Sequence, residues 1–227
     1  MSEKVQSLFS FSDIKLYKRY AIMHPLNNIW RFLMRNKVFV LVLGGIMTMA
    51  FFTGCDVGNG NVISQERTAE GFSGITLDGL GNVNVHPGKN YKVVVTTDSN
   101  IQDRVLTTVN GNTLRITQRS GSFNAKELTI DVYLPELTSI SLNGAGTVTV
   151  NSGNASALTF SISGTGNINA ENFSVQNVNI THSGIGNARI WATDSLTGTI
   201  SGVGNIRYKG NPTINVNRTG VGNITPL

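Results

Sequence analysis

The motif Gly-x-Gly-Asn is the part of this 227-residue sequence whose residue types could do chemistry, because such a turn can hold a phosphate or a calcium ion. A dinucleotide-binding loop needs a third glycine followed by a helix. Asn169, Arg189 and Arg207 stand at that third position instead, and β-forming residues follow them. A calcium-binding β-roll needs an aspartate that recurs in the turn, and none recurs here. The motif is therefore interpreted as a structural turn, with neither a metal nor a cofactor expected.

Six copies of the motif occur along the chain, and the first glycines of the last five copies are 20, 20, 18 and 18 residues apart. A fixed period of this length predicts a solenoid of stacked coils. The glycines are expected to turn the corner of each coil. The asparagines, with Thr147 once in their place, are expected to form a ladder of stacked amides that tolerates left-handed backbone. The corner and ladder residues are Gly79, Gly81, Asn82, Gly144, Gly146, Gly164, Gly166, Asn167, Gly184, Gly186, Asn187, Gly202, Gly204, Asn205, Gly220, Gly222 and Asn223.

Strands with one buried face are predicted on both sides of each corner, because apolar and small polar residues alternate there. Ile140 and Leu142 precede the second corner, and Val148 and Val150 follow it. Coils that stack these rows in parallel would bury them between two facing sheets. The predicted fold class is all-β, a two-sided parallel β-helix with about 18–20 residues per coil. A sandwich of antiparallel hairpins is the alternative, since the same corners also suit hairpins.

The β domain is expected to span residues 72–227, with 72–136 as an antiparallel or mixed β cap and 137–227 as the repeats. Such a cap would cover a solenoid end that otherwise exposes an unpaired strand edge. Residues 55–71 are polar and rich in glycine and asparagine, and they are expected to form a flexible tether.

A signal helix is predicted over residues 34–54, because a basic segment precedes a largely apolar run of fifteen residues. That run is too short for a membrane-spanning helix, which needs about 20 residues. Phe52-Thr53-Gly54-Cys55 resembles a bacterial lipobox, which predicts lipidation of Cys55, the only cysteine in the chain. A cysteine that follows an ordinary signal or transmembrane helix by chance is the alternative. Residues 1–33 are interpreted as a mis-called extension, with a long leader or a second basic segment as alternatives.

The net charge of +5 lies entirely in residues 1–54, since eleven basic and eleven acidic side chains balance from Cys55 onward. The basic character of the chain therefore belongs to the leader. It gives no support for nucleic-acid binding by the mature protein.

An outward-facing patch is predicted on three successive coils, at the positions five and seven residues after the first glycine. Arg189 beside Arg207 places like charges on neighbouring strands, which is mildly destabilising unless an anion or water compensates. Trp191 among charged and amide side chains is typical of a site for a glycan or an anionic polymer. A solvated face with one surface tryptophan is the alternative. The patch consists of Asn169, Glu171, Arg189, Trp191, Arg207 and Lys209.

No catalytic residue is predicted. From Cys55 onward the chain has two histidines, His86 beside a Pro-Gly turn and His182 in an inward column, and its carboxylates do not recur on one face. Lyase or hydrolase chemistry would need paired acids, or an acid and a base close together.

Several segments together resemble the head-GIN-domain family of bacterial auto-transporter adhesins. These segments are the opening "FSGITL", the first Gly-x-Gly-Asn before a strand meander, the "LPEL" that leads into the repeats, and the repeated "GTGNIN". The resemblance covers about residues 70–225. It implies a β-helical fold related in shape to pectin lyases, no established catalytic residues, and a role in adhesion.

The expected protein is therefore lipid-anchored in the bacterial cell envelope through Cys55 and acts as a non-catalytic binding or adhesion module. Its expected partners are the membrane and glycans or proteins of the envelope or a host, with a homo-oligomer through sheet edges left open and no nucleic acid. The alternatives are an enzyme that acts on polysaccharide and a structural envelope component that assembles through its sheet edges. The choice between inner and outer membrane also stays open.

Overall fold

Alternating apolar and polar residues form strands through most of residues 56–227, the part of the chain that this computed structural model describes. These residues belong to one compact unit. They are all-β apart from a single 3-10 turn at Gln102–Arg104, which confirms the predicted all-β class. The strands are β1 Asp56–Val57, β2 Val62–Arg67, β3 Gly74–Leu77, β4 Leu80–Pro87, β5 Lys92–Asp98, β6 Val105–Asn110, β7 Thr113–Gln118, β8 Phe123–Asn124, β9 Leu128–Leu134, β10 Ser139–Leu142, β11 Ala145–Val150, β12 Gly153–Ile162, β13 Thr165–His182, β14 Ala188–Ile200, β15 Ile206–Lys209, β16 Thr213–Arg218 and β17 Ile224–Pro226.

Three sequence predictions lie outside the described residues: the extension 1–33, the signal helix 34–54 and the lipidation of Cys55. Among residues 56–227, no helix has the length and apolar character needed to cross a membrane.

Equivalent residues of successive coils pair with each other in parallel strands. Before the corner, Ile140 of β10 lies beside Ile75 of β3 and Phe160 of β12. After the corner, Val148 of β11 lies beside Val83 of β4 and Ile168 of β13. Beside the corners the register therefore follows the repeat, so that equivalent inward positions lie over one another. Further from the corners, β13 and β14 pair with two register shifts, between Ala170 and Ser174 and between Val175 and Asn177.

The long strands β13 and β14 join the two walls that these pairings build. β13 pairs with β11 through its first half and with β12 through its second half. Fifteen strands of the described region consequently form one nearly closed, barrel-like sheet around a single core. Its largest buried side chains include Phe72, Phe160 and Phe173, each about 1% exposed or less. Full burial of such a side chain contributes about 1.5–3 kcal/mol.

The two ends of the sheet differ in how their strand edges are covered. Over residues 72–136 the pairing is mixed, because β5 and β9 are antiparallel and so are β6 and β7, whereas β9 and β7 join β4 and β3 in parallel. At the opposite end, β16 pairs only with β14 and β17 only with β15. Within residues 56–227 this last coil therefore leaves its outer edge open.

The prediction of a flexible tether over residues 55–71 is wrong for 56–57 and 62–67. The first pair of residues forms strand β1, parallel to β8, and the second segment forms strand β2, antiparallel to β5. A second contact holds the preceding turn, since the carboxylate of Asp98 accepts the backbone N–H of Gly60 at 2.6 Å and that of Lys126 at 2.7 Å. β2 covers the outer edge of β5, which would otherwise expose unpaired backbone groups. Its own side chains stay mostly exposed, so the segment carries no apolar alternation that would reveal a strand.

Candidate functional site

The asparagines after the last four corners form a ladder that joins side chain to main chain. The Asn167 Oδ1 atom accepts the backbone N–H of Asn187 at 3.0 Å, Asn187 Oδ1 accepts that of Asn205 at 3.0 Å, and Asn205 Oδ1 accepts that of Asn223 at 2.9 Å. The asparagines do not use their tolerance of left-handed backbone, because no described non-glycine residue has a positive φ. The second glycine of each motif takes the unusual backbone geometry instead, as Gly166 does with φ +152°.

The predicted patch lies on the outer surface of the wall that follows the corners. Asn169, Arg189 and Arg207 occupy one column on neighbouring parallel strands, and Trp191 pairs in register with Lys209. The two arginines and the lysine are exposed, whereas Asn169, Glu171 and Trp191 are half-buried. Within the described residues, the six side chains thus share one face, with the tryptophan more enclosed than a freely exposed one.

Two contacts hold charged groups of this patch in place. Lys209 Nζ lies 3.9 Å from the centroid of the Trp191 ring, a cation–π geometry. Glu171 Oε2 lies 3.7 Å from Arg189 Nη1. Both pairs are at least partly open to water, so each contributes little to stability on its own.

A groove of about 500 Å³ runs between the asparagine column and the arginine column. Amide, hydroxyl and guanidinium groups dominate its walls. Its lining residues are Thr147, Asn167, Ile168, Asn169, Asn187, Arg189, Asn205 and Arg207. We call this depression the asparagine-lined groove, and it is the first of two on the face.

The second depression, of about 630 Å³, brings in residues that the sequence analysis did not select. It is lined by His86, Pro87, Asn151, Ser152, Asn172 and Trp191. Because Trp191 belongs to the predicted patch and also lines this groove, the two regions are continuous. A signal existed in the sequence, since His86 and Asn151 lie seven residues after their first glycines, as Trp191 does.

His86 is held by neighbours on three sides. Its Nε2 lies 3.1 Å from Asp131 Oδ1, and its Nδ1 lies 2.8 Å from Asn151 Nδ2. The ring also stacks on Tyr133, with centroids 4.4 Å apart and planes at 11°. The contacts fit the tautomer in which Nε2–H donates to Asp131 while Nδ1 accepts from Asn151.

His182 lies away from this face, fully buried beside a corner. Its Nε2 lies 2.8 Å from the carbonyl oxygen of Gly186. Arg218 repeats this contact two coils further on, where Nη1 donates to the Gly222 oxygen at 2.7 Å. Both polar side chains therefore form a hydrogen bond with the carbonyl oxygen of the second glycine in their own motif. Among the described residues, no group of three His, Cys, Asp or Glu side chains could hold a metal ion.

Comparison with one solved structure supports the fold. A crystal structure of a putative adhesin from Bacteroides fragilis NCTC 9343 is 22% identical, with a TM-score of 0.52, and the match covers 75% of this chain and 99% of that one. A putative lipid binding protein from Parabacteroides distasonis ATCC 8503 is 20% identical over 77% of this chain and 100% of that one, with a TM-score of 0.48. No curated protein matches the chain.

Family membership is decided by the sequence. The family described as "putative auto-transporter adhesin, head GIN domain" matches residues 71–152 and 146–212, which is more than half of the chain. The match confirms the resemblance carried by the corner motifs and the segments around them. The chain belongs to the head-GIN-domain family of putative auto-transporter adhesins.

Proposed function

We propose that this protein is a lipid-anchored adhesion module of the bacterial cell envelope that binds glycans without chemically changing them. The observation that carries the proposal is the position of Trp191, which belongs to the charged patch and also lines the second groove. The family and the Bacteroides fragilis relative, both described as adhesins, support a binding role at the cell surface.

Glycan recognition fits the chemistry of this face. Sugar rings present C–H groups that pack on an aromatic side chain and hydroxyls that need directional hydrogen bonds. Trp191 offers the aromatic surface, and His86, Asn151 and Asn172 offer polar groups around the same groove. Lys209 and the strand register restrict the motion of Trp191 before any ligand arrives, and such preorganisation reduces the cost of binding.

A non-catalytic role is proposed because His86, which is paired with Asp131, has no ring nitrogen free to take a proton. Both ring nitrogens already have partners, Asp131 at 3.1 Å and Asn151 at 2.8 Å. A general base needs a free nitrogen within reach of the proton that it takes. The enzyme alternative would require Asn151 to move away first, and release of shortened polysaccharide would reveal it.

Anchoring through Cys55 is proposed from the sequence, with residues 34–54 as the signal helix. Strand β1 begins at Asp56 and pairs with β8 in parallel. Asp56 also forms an ion pair with Arg104, and Asn100 Nδ2 donates to the Val57 carbonyl oxygen at 2.8 Å. With residues 56–67 held by these contacts, a lipid on Cys55 would hold the domain next to the membrane surface.

The parallel, in-register pairing supports the further proposal that residues 137–227 form a two-sided parallel β-helix, with 72–136 as its cap.

Self-association through the open edge is a second proposed property. β16 and β17 each have one neighbour, and Ile214 and Leu227 near this edge are 42% and 48% exposed. Unpaired strand edges invite pairing with another chain. If a second copy pairs there, Ile214→Lys should convert a dimer to a monomer in sedimentation velocity. A wild-type monomer at every concentration would reject this property and leave glycan binding untouched.

The direct test of the proposed function compares full-length protein in vesicles with its Trp191→Ala variant on immobilised envelope polysaccharides. Loss of binding without loss of folding is expected for Trp191→Ala, because the variant removes the aromatic surface. Thr181→Ala is the matched control, since Thr181 is exposed and precedes a corner on the other wall. Equal binding by wild type and Trp191→Ala would contradict the proposal, and shortened product in the supernatant would favour the enzyme.

A further inference from the structure

We propose that the asparagine-lined groove is an anion-binding subsite that selects acidic glycans, those carrying carboxylate, sulfate or phosphate groups. The inference rests on the proposed glycan-binding function and specifies its ligand class. Two independent features of the groove carry it: the fixed orientation of its asparagine amides and the pair of arginines along its other side.

The backbone ladder decides which end of each asparagine amide is available to a ligand. Asn167, Asn187 and Asn205 each use Oδ1 to accept a backbone N–H from the next coil. An amide oxygen turned to the groove would instead place an NH₂ group against that backbone N–H, leaving two donors facing each other. The acceptor ends are thus committed to the fold, whereas the donor ends remain for the groove.

Two of these donors have no acceptor within residues 56–227. Asn187 Nδ2 donates to Asn167 Oδ1 at 3.2 Å, but Nδ2 of Asn167 and Nδ2 of Asn205 form no hydrogen bond with the described part of the protein. Both residues line the groove. This side of the groove therefore presents hydrogen-bond donors without matching acceptors, which suits a ligand rich in negative oxygen atoms.

The opposite side presents Arg189 and Arg207, which are register partners on neighbouring parallel strands. Neighbouring strands are about 4.8 Å apart, so the two cations lie close enough to repel each other. Glu171 lies 3.7 Å from Arg189 and offsets part of that charge. Within the described residues, no carboxylate lies within 4.0 Å of Arg207. An anionic group between the guanidinium groups would relieve the repulsion and accept their paired donors.

The groove has the size and position of a subsite within a longer binding face. Its volume of about 500 Å³ falls in the range of ligand pockets, roughly 300–1,000 Å³. Arg189 precedes Trp191 by two residues on β14, so both point outward from the same strand. A polymer that packs on Trp191 can therefore place a neighbouring acidic residue between the arginines and the asparagine amides.

The test compares charged glycans with forms of the same polymer that lack the charge. Full-length protein in neutral phosphatidylcholine vesicles is titrated with three matched pairs of polymers. The pairs are hyaluronan and carboxyl-reduced hyaluronan, chondroitin sulfate and chondroitin that is both desulfated and carboxyl-reduced, and a mannan carrying phosphomonoesters and the same mannan after phosphatase treatment. At least one charged polymer should bind roughly tenfold more tightly than its uncharged form. One charge-assisted hydrogen bond contributes about a tenfold gain in affinity. The preference should weaken as salt is raised, because the groove is open to solvent.

Two substitutions locate the effect in the groove. Arg207→Gln should weaken binding of the charged glycan about tenfold and leave the uncharged form unchanged. Arg119→Gln is its control, because Arg119 is exposed and does not line the groove. Asn205→Asp keeps an oxygen for the Asn223 backbone N–H but turns the free donor into a negative acceptor, so it should abolish the preference without unfolding the domain. Asn82→Asp, in the same column but outside this groove, is its control.

The outcomes separate this inference from the proposed function. Binding that depends on Trp191 but is equal for charged and uncharged polymers, or that is unaffected by Arg207→Gln and Asn205→Asp, overturns the anion subsite and leaves glycan binding standing. Absence of binding to every polymer, charged or not, overturns both. Charge preference that is lost in both groove variants and kept in both controls supports the subsite.

Discussion

Lys209 places its ammonium group 3.9 Å from the centre of the Trp191 indole, and the two residues are register partners on neighbouring parallel strands. The contact couples the last coils of the repeat to the aromatic centre of the proposed binding face. It also explains why Trp191 is half-buried although its strand position faces outward. The pair is therefore the natural starting point for experiments on the face.

Substitution Lys209→Ala should loosen Trp191 without unfolding the protein. An exposed cation–π contact contributes about 0.5–1 kcal/mol, so glycan affinity should fall about two- to fivefold and Trp191 fluorescence should shift to the red. Lys209→Arg should preserve both, because a guanidinium also stacks on indole. A Lys209→Ala protein with unchanged emission and unchanged affinity would show that the contact does not order the tryptophan.

Replacement of Gly166 by alanine should be far more damaging than replacement of Gly60. Gly166 has φ +152°, and an added Cβ would lie 1.8 Å from the Gly146 carbonyl oxygen of the neighbouring coil. Gly60 also has a positive φ of 78°, but a Cβ there would meet nothing within 4 Å. Urea unfolding should show a loss of about 1 kcal/mol for Gly60→Ala, whereas Gly166→Ala should lose more than about 4 kcal/mol or fail to fold. Similar losses for the two variants would contradict the close stacking of the corners.

Asp98 should make the domain sensitive to acid. Burial raises the pKa of this carboxyl, but hydrogen bonds from the Lys126 and Gly60 backbone amides outweigh that effect and lower the pKa below its ordinary value. A lowered pKa in the folded state means that the stabilisation is present above the unfolded pKa of about 3.9 and is lost as pH falls through the lower folded value. Wild type should therefore exceed Asp98→Asn in unfolding free energy at neutral pH, and the gap should narrow only below about pH 4.

The matched control for this experiment is Asp103→Asn, because Asp103 is exposed at the same end of the domain. Its unfolding free energy at neutral pH should stay within about 0.5 kcal/mol of wild type. Hydrogen exchange should additionally show faster exchange of residues 60–67 in Asp98→Asn, since the carboxylate fastens the turn before β2. If Asp98→Asn leaves the exchange rates of residues 60–67 unchanged, the pairing of β2 with β5 alone holds this segment.

His86 should stabilise the face through packing and hydrogen bonds together. His86→Ala removes the stack on Tyr133 and leaves Asp131 and Asn151 without one partner each. A loss of about 1–3 kcal/mol in unfolding free energy is expected from the groups left unpaired. Asn154→Ala, an exposed position of β12, should stay within about 0.5 kcal/mol of wild type. Equal stability of the two variants would show that the His86 cluster is not a structural support.

Much of the fold was predictable because the chain repeats its corner. Alignment on the first glycine places Asn169, Arg189 and Arg207 in one column, and the structure pairs the same residues. The alignment did not reveal β2, because that strand covers an edge with polar side chains and buries no apolar row. The His86 groove was missed for a different reason. Its histidine lies on the first coil, where the hydrogen-bond partner Asp131 comes from a strand outside the repeat.

The most direct test of the central claim is a fluorescence titration of Trp191 in the full-length chain carrying Trp30→Phe, which leaves Trp191 as its only tryptophan. Protein in phosphatidylcholine vesicles is titrated with envelope polysaccharides and with the charged and uncharged glycan pairs. The proposed function predicts a saturable change in Trp191 emission that is reversed when the bound glycan is digested, and the anion subsite predicts tighter binding of the charged polymer. Emission that stays unchanged with every glycan, from a protein that remains folded, would contradict binding at this face.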